Sequence, residues 1–456
     1  MDLLKELRQQ VDEPGRVSTG ESVLDQHGRD LTYHTPHRPD GVVFAQTVNE
    51  VSRVMKFANE HKIPVVPYAQ GTSLEGHVIP VYGGISLDLN GLNKILEIRP
   101  QDFLVRVQSG VTRSQLNHAL HPHGLQFPLD PGADASLGGM AATNASGTTA
   151  VRYGVMRNQV LDLQVVLADG SVVRTGGMAF KSSAGYYLTG LFIGSEGTLG
   201  VITELTLRVY PVPEYTIAAR AVFSDIATAC NAAYGMMGSG IAVGRVELVD
   251  ANTVQAVNRM KATNYVEQPT LFLEFHGTRK AVEADVQVAQ EVCEEEGCRH
   301  FVFETDPQAR EKLWEARHDA ALAIMQTAPG KKMKLTDVCM PVSELPEAIR
   351  RARETIDSHG IYGAILGHVG DGNYHVEFMV DPENPEEMAR ADEVNDQIVR
   401  YALERGGTCT GEHGVGLGKM AYLEEEHKDT LPLMRRLKET FDPYHILNPG
   451  KVFALD

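Results

Sequence analysis

The sequence predicts an α+β protein of two domains, and three observations carry that expectation. Its 456 residues exceed what one core organises, at the usual allowance of roughly 100–200 residues per domain. From about 42 to 210, short apolar strands are mixed with few long helices; from about 215 to 405, strand and helix units alternate in a slower rhythm. Between the two stretches stand Pro211 and Pro213, which suit a boundary. The expected divisions are therefore 1–213, 214–405 and a glycine-rich segment 406–456, which pattern alone could assign to either domain.

The first helix, 48–60, opens with Thr47 and Glu50 as a capping box and carries Val48, Val51, Val54, Met55 and Ala58 on one face. Strands IPVVPYA, ISLDL at 85–89 and FLVRVQ at 103–108 follow, then a helix with Thr112 and Gln115 in capping positions. LDLQVVLADGSVVRT predicts a hairpin, because Asp169-Gly170 stands between two alternating runs. TLGVITELTLRVYP closes the region as a long strand. Beyond the prolines come strand TIAARAVF, helix 224–237, strand VGRVELV, helix 250–262, strand TLFLEFHG and the amphipathic helix 279–296. That order suits an antiparallel sheet with its helices on one face. A helix over about 420–440 is expected in the last segment.

Composition excludes several classes. Forty-two Lys and Arg against sixty Asp and Glu leave a net charge of −18, which repels nucleic acid and anionic lipid. No uncharged apolar run reaches the roughly 18–20 residues that span a bilayer, so a membrane-spanning protein is not expected. The five cysteines contain no CxxC pair and are odd in number, as a reducing compartment permits. The opening MDLLKELRQQVDEPG has neither the apolar stretch of a signal peptide nor the acid-poor composition of a transit peptide, so the expected location is the cytoplasm. There is no complete G-x-G-x-x-G, P-loop, H-E-x-x-H or G-x-S-x-G, which leaves the Rossmann, P-loop, zincin and elbow-hydrolase chemistries without support.

Glycine is clustered in three loops: PYAQGTSLEGH at 67–77, PLDPGADASLGGMAATNASGTTAVRYG at 128–154 and GLFIGSEGTLGVIT at 190–203. Each mixes Gly and Ala with Ser and Thr, so that peptide N–H groups and small hydroxyls can approach an anion such as a pyrophosphate. One such loop is more often a turn-rich connection; three flanked by buried strands point to a phosphate-bearing cofactor. In the wording and order of these loops, and over about 35 to 453, the chain resembles the FAD-dependent oxidoreductases of the vanillyl-alcohol oxidase and p-cresol methylhydroxylase type. The resemblance implies a two-domain flavoprotein, with a bipartite FAD-binding domain built from the first segment and the C-terminal tail, and an antiparallel-sheet α+β cap domain between. It implies that Gly71, Thr72 and Ser73 hold the pyrophosphate, with Gly138, Gly139, Ala145, Ser146 and Gly147 in the second loop. Gly197, Gly200, Val201 and Ile202 would pack near the adenosine or ring, and Asn448 would come from the tail. Some members of that type tether the flavin covalently through a His in the first loop; here the positions after Gln70 read Gly71-Thr72-Ser73 and His77 comes only after them, so the FAD is expected to be non-covalent. Tyr187 stands where relatives often carry a smaller polar residue.

AILGHVGDGNYHVEFMV at 364–380 predicts two strands joined at Gly370-Asp371-Gly372-Asn373, with His368 and His375 on nearby positions whose Cβ atoms would be about 5 Å apart. Two imidazoles so placed suit one divalent metal, which commonly takes a carboxylate as a further ligand. GEHGVGLGK at 411–419 offers Glu412 with His413 beside it. A lone His is more often a satisfied core or surface imidazole; two around a glycine turn leave both readings open, and two His with a Glu would also suit a hydrolytic zinc.

GHVGDGNYH and GEHGVGLGK are similar to the paired signatures of the branch containing D-lactate dehydrogenase (cytochrome), glycolate dehydrogenase and D-2-hydroxyglutarate dehydrogenase. That similarity implies that His368, His375 and Glu412 bind zinc or manganese, that His413 is the general base, and that Arg317 of the Trp-x-x-Arg pattern holds the substrate carboxylate. Lys334 is a weaker candidate, since relatives that bind dicarboxylates carry Lys one position later, where this chain has Leu335. Ala321 and Glu377 stand where the 2-hydroxyglutarate branch has Thr and Asn. These departures favour a small monocarboxylate. The expected function is oxidation of a D-2-hydroxy acid, D-lactate foremost, by hydride transfer to flavin N5, with a quinone, cytochrome or electron-transfer protein as acceptor. A quinone-linked acceptor would place the protein peripherally at the inner membrane face. The alternatives are glycolate or D-2-hydroxyglutarate as substrate, and a catalytically idle FAD-binding subunit of an electron-transfer complex.

Overall fold

The structure, a computed structural model, describes residues 2–454. Those residues divide into two compact units: unit 1 comprises 2–146, 154–212 and 412–454, and unit 2 comprises 147–153 and 213–411. Residues 147–153 and 406–411 thus pack with the middle of the chain.

Unit 1 is built on two larger sheets. The first has four strands in the order Val17–Ser18, Gly41–Phe44, Ile85–Asp88, Val65–Tyr68, with the last three parallel. Helix Val48–His61 forms where the Thr47–Glu50 capping box predicts it, and buries Val51, Val54, Met55, Phe57 and Ala58. Burying each of the larger of these side chains contributes about 1.5–3 kcal/mol, and the face joins Val43, Val65, Ile85 and Leu87 in one core. The second sheet is antiparallel, in the order Ile95–Arg99, Leu104–Gln108, Val201–Arg208, Val160–Val166, Val172–Arg174. Its last pair is the hairpin expected at Asp169-Gly170, with Val165 opposite Val173.

The expected helix over 420–440 is instead two, Met420–Glu426 and Leu431–Phe441. Pro432 explains the break: it has no N–H to donate and its ring would clash with the carbonyl four residues earlier, so it is tolerated only in a first turn.

Unit 2 centres on an antiparallel sheet in the order His300–Glu304, Tyr215–Val222, Thr270–Gly277, Val243–Val249, Gly363–Gly367, Asn373–Val380, Lys332–Leu335, with Val338–Cys339 also pairing Asn373–Val380. Seven helices of eight or more residues accompany these strands, from Ile226–Gly238 to Pro385–Glu404. Among the described residues no helix is long and apolar enough to cross a membrane.

Candidate active site

In unit 2 the expected hairpin forms, with Leu366 paired to His375 across strands Gly363–Gly367 and Asn373–Val380. His368 follows the first strand and His375 lies on the second, which sets their rings 5.5 Å apart and nearly perpendicular, at 82°. Both imidazoles are buried. His368 Nδ1 lies 2.7 Å from Glu247 Oε1, on the neighbouring strand Val243–Val249. Arg317, in the last turn of helix Pro307–His318, donates to Glu247 Oε2 at 2.6 Å. One carboxylate with no exposed surface therefore joins the imidazole to the guanidinium. Because a carboxylate accepts, its partner nitrogen is the protonated one, and His368 Nε2 keeps the lone pair that a metal requires. The Arg317 Nε is buried without a hydrogen-bond partner, a donor left for a ligand.

His375 Nδ1 stands 3.4 Å from Asp337 Oδ1. Asp337 also accepts from Asn373 Nδ2 at 2.8 Å and from Thr410 Oγ1 at 2.7 Å. Thr410 and Gly411 are the last residues of unit 2, so the chain leaves this unit from within the His375 cluster, and Glu412 is covalently next. Glu412 and His413 open the final segment of unit 1, both partly buried.

Register decides which of the remaining candidates share the site's face. Leu335 pairs with Glu377, and Lys334 with Phe378. Residues two apart on a strand point the same way, so Glu377 and its partner Leu335 lie on the face of His375, and Lys334 lies on the other. Lys334 forms an ion pair there with Asp392 of helix Pro385–Glu404, at 2.7 Å, so it is not placed to hold substrate. Ala321 sits in helix Ala320–Thr327. Glu377 is 6% exposed and one of its oxygens has no hydrogen-bond partner. Burial pushes its carboxyl up to about 7, against the opposing pull of His375 and Arg317.

The cofactor candidates fall mostly in unit 1. Gly71, Thr72 and Ser73 follow strand Val65–Tyr68, and Ser73 Oγ is buried without a partner, as a hydroxyl meant for a phosphate would be. Gly138 and Gly139 lie in the first turn of helix Leu137–Thr143, capped by Ser136, whose Oγ accepts from Gly139 N at 3.2 Å. Ala145 and Ser146 are buried just beyond that helix. Gly197 lies against Pro67 of the first loop, and Gly200 against Val165 and Phe192. Val201 and Ile202 begin strand Val201–Arg208 and bury their side chains in two separate hydrophobic clusters. The Asn448 amide donates to the His77 and Glu196 carbonyls, at 3.1 and 2.8 Å, so it joins the first and third loops to the tail. Tyr187 is two-thirds exposed. Gly147 belongs to unit 2, with the end of the second loop. There Val151 presses on Gly370, two residues after His368: a Cβ on Gly370 would lie 2.8 Å from Val151 Cγ2.

Two residues that the sequence did not single out stand against the imidazoles: Glu247, hydrogen-bonded to His368, and Asp337, within ion-pair distance of His375. The available signal was an acid among largely apolar neighbours, on a strand in VGRVELV and between two strands in KLTDVC; a buried carboxylate needs a charged or hydrogen-bonding partner.

Residues 39–176 match the FAD binding domain family, and residues 212–452 match the FAD linked oxidases, C-terminal domain. The chain is 45% identical over 443 residues to "Probable D-lactate dehydrogenase, mitochondrial" of Danio rerio, covering 96% of this chain and 89% of that one. It is 34% identical over 452 residues to glycolate oxidase subunit GlcD of Bacillus subtilis, covering 97% and 96%. A crystal structure of p-cresol methylhydroxylase with substrate bound shares the fold, with a TM-score of 0.81, 19% identity and coverage of 99% and 96%. Relatives named for two different acids match with nearly equal extent, so the likeness reaches the reaction class and stops short of the acid. With both parts matched and the loops and fold in place, the chain belongs to the FAD-linked oxidases and is an FAD-dependent oxidoreductase.

Proposed function

We propose that this chain oxidises a small D-2-hydroxy acid, D-lactate foremost, to the 2-keto acid, with non-covalent FAD and with zinc or manganese held by His368, His375 and Glu412. The observation that carries the reading lies within unit 2: the end of the second glycine-rich loop is pressed on the turn that bears the imidazoles, through Val151 and Gly370. A loop suited to the cofactor and a turn suited to a metal thereby share one packed neighbourhood.

When bound, FAD accepts a hydride, and the metal polarises the substrate's hydroxyl and carboxylate oxygens. The protein's part is to hold and deprotonate. Glu247 keeps His368 in the tautomer that offers Nε2, and spends its other oxygen on Arg317. Arg317 retains an unpartnered Nε for a substrate carboxylate, which its planar fork fits better than a point charge does. His413 takes the hydroxyl proton, a role for which imidazole is the usual side chain in general acid–base catalysis. Leu335 and Glu377 make the facing strand pair apolar and acidic, which suits a methyl group and opposes a second carboxylate. An electron acceptor outside the chain, quinone, cytochrome or electron-transfer protein, completes the turnover.

Glycolate is the second candidate, because it too lacks a second carboxylate and the Bacillus relative is named for it. The test is anaerobic flavin reduction by D-lactate, L-lactate, glycolate and D-2-hydroxyglutarate, with and without chelator. D-lactate should bleach the flavin fastest, and chelation should slow it until manganese or zinc is restored. Failure of every D-2-hydroxy acid in the presence of metal defeats this assignment.

A further inference from the structure

The segment after Glu412 and His413 is gripped by a carboxylate from a distant part of the same unit. Glu196, in the third glycine-rich loop, accepts from Val415 N at 2.7 Å and from Gly416 N at 2.8 Å. The next peptide N–H, of Leu417, donates to the Glu75 carbonyl at 2.7 Å. Two successive N–H groups thus converge on one carboxylate, the kind of backbone concavity that takes an anion, here filled by the protein's own side chain. Gly414 allows this approach: at φ +83°, a Cβ there would lie 2.7 Å from both Glu196 Oε1 and His77 Nε2. His77 Nε2 stands 3.1 Å from Glu196 Oε2 as counter-ion, and both residues are buried. Burial alone would lower the imidazole's pKa, but the adjacent carboxylate outweighs it and holds His77 above its ordinary value. Asn448 fixes both backbones through their carbonyls.

We propose that Glu196, with His77 as its counter-ion, is a positioning residue for Glu412 and His413, setting the turn that presents them. The inference rests on the metal and base roles proposed above. A carboxamide in place of the carboxylate would turn an NH2 toward one of the two peptide N–H groups, so the concavity would lose an acceptor and gain a repulsion. A merely stabilising ion pair would alter the unfolding temperature and leave metal affinity unchanged. The two accounts therefore separate in a binding measurement.

The experiment uses the full-length FAD-loaded protein, stripped of metal and titrated with manganese, with bound ion read by electron paramagnetic resonance well below the unfolding temperature. Glu412→Gln is the control for the ligand role. Glu196→Gln should weaken manganese binding about tenfold, the lower end of what removal of an outer partner costs, with the flavin spectrum retained. Gly414→Ala, which intrudes on the same carboxylate, should act in the same direction and serves if Glu196→Gln does not fold. Weakened binding in Glu412→Gln with normal binding in both other variants overturns the positioning role and leaves the site reading intact. Normal binding in Glu412→Gln overturns both.

Discussion

Two buried glutamates, one in each unit, show how the same side chain serves structure or chemistry. Glu50 has no exposed surface and accepts from the backbone N–H groups of Asp12, Gln46 and Thr47 and from both terminal nitrogens of Arg16. Burial would raise its carboxyl, but those donors outweigh it and hold it at about 2. Glu377 is nearly as buried, has an oxygen with no partner and is pushed up to about 7. A saturated carboxylate is a rivet. An unsaturated one facing His375 is available to a ligand, and its surroundings, Glu247, His368 and Arg317, are wired together rather than to the backbone.

That contrast can be broken by experiment. The largest effect is expected at the base: His413→Asn should slow anaerobic flavin reduction by about 10²–10⁴-fold, with the unfolding midpoint nearly unchanged, as stopped-flow and calorimetry would record. Arg317→Lys should raise KM for D-lactate by about 10–100-fold, since a charged hydrogen bond contributes about 1.5–3 kcal/mol and Lys lacks the fork. Glu50→Gln should leave flavin reduction alone and destabilise the protein by roughly 2–3 kcal/mol at pH 7. The sign follows from a folded value below the ordinary 4.5: the contribution is present above pH 4.5 and disappears as pH falls towards 2, so denaturation curves of variant and parent should converge on acidification. The smallest loss belongs to Glu377→Gln, which should not destabilise the protein at pH 7 at all: with a folded value above the ordinary 4.5, the ionised carboxyl opposes folding there, so its removal is neutral or stabilising. It should improve D-2-hydroxyglutarate relative to D-lactate by about tenfold in kcat/KM, through loss of a like-charge contact. A stability loss at Glu377 matching that at Glu50 would erase the distinction.

What the sequence made readable follows the range of the interactions. Thr47–Glu50 and Thr112–Gln115 are local devices, and both capping boxes form. The hairpins at Asp169-Gly170 and Gly370–Asn373 depend on turn chemistry and strand alternation, and both form. Pro432 was visible too, yet the amphipathic pattern on either side of it concealed the break. The partners of His368 and Arg317 were not readable, because Glu247 lies 121 and 70 residues away from them. Lys334 and Leu335 are neighbours whose side chains part to opposite faces, and only the register with Phe378 and Glu377 tells them apart. The fit of Glu196 against the amides of Val415 and Gly416 spans more than 200 residues and left no local trace beyond glycines at 414 and 416.

Asn448 bonds to the carbonyl of His77 across 371 residues, and its own N–H reaches Val65. During synthesis, the first strands and loops of unit 1 must therefore wait for all of unit 2 to be translated before the tail arrives. Such a distant closure is slow to find, and until it happens a ribosome-bound chain carries the cofactor loops without their fastening. Shortening the chain before Asn448 should then leave a protein that retains a folded middle but releases its flavin.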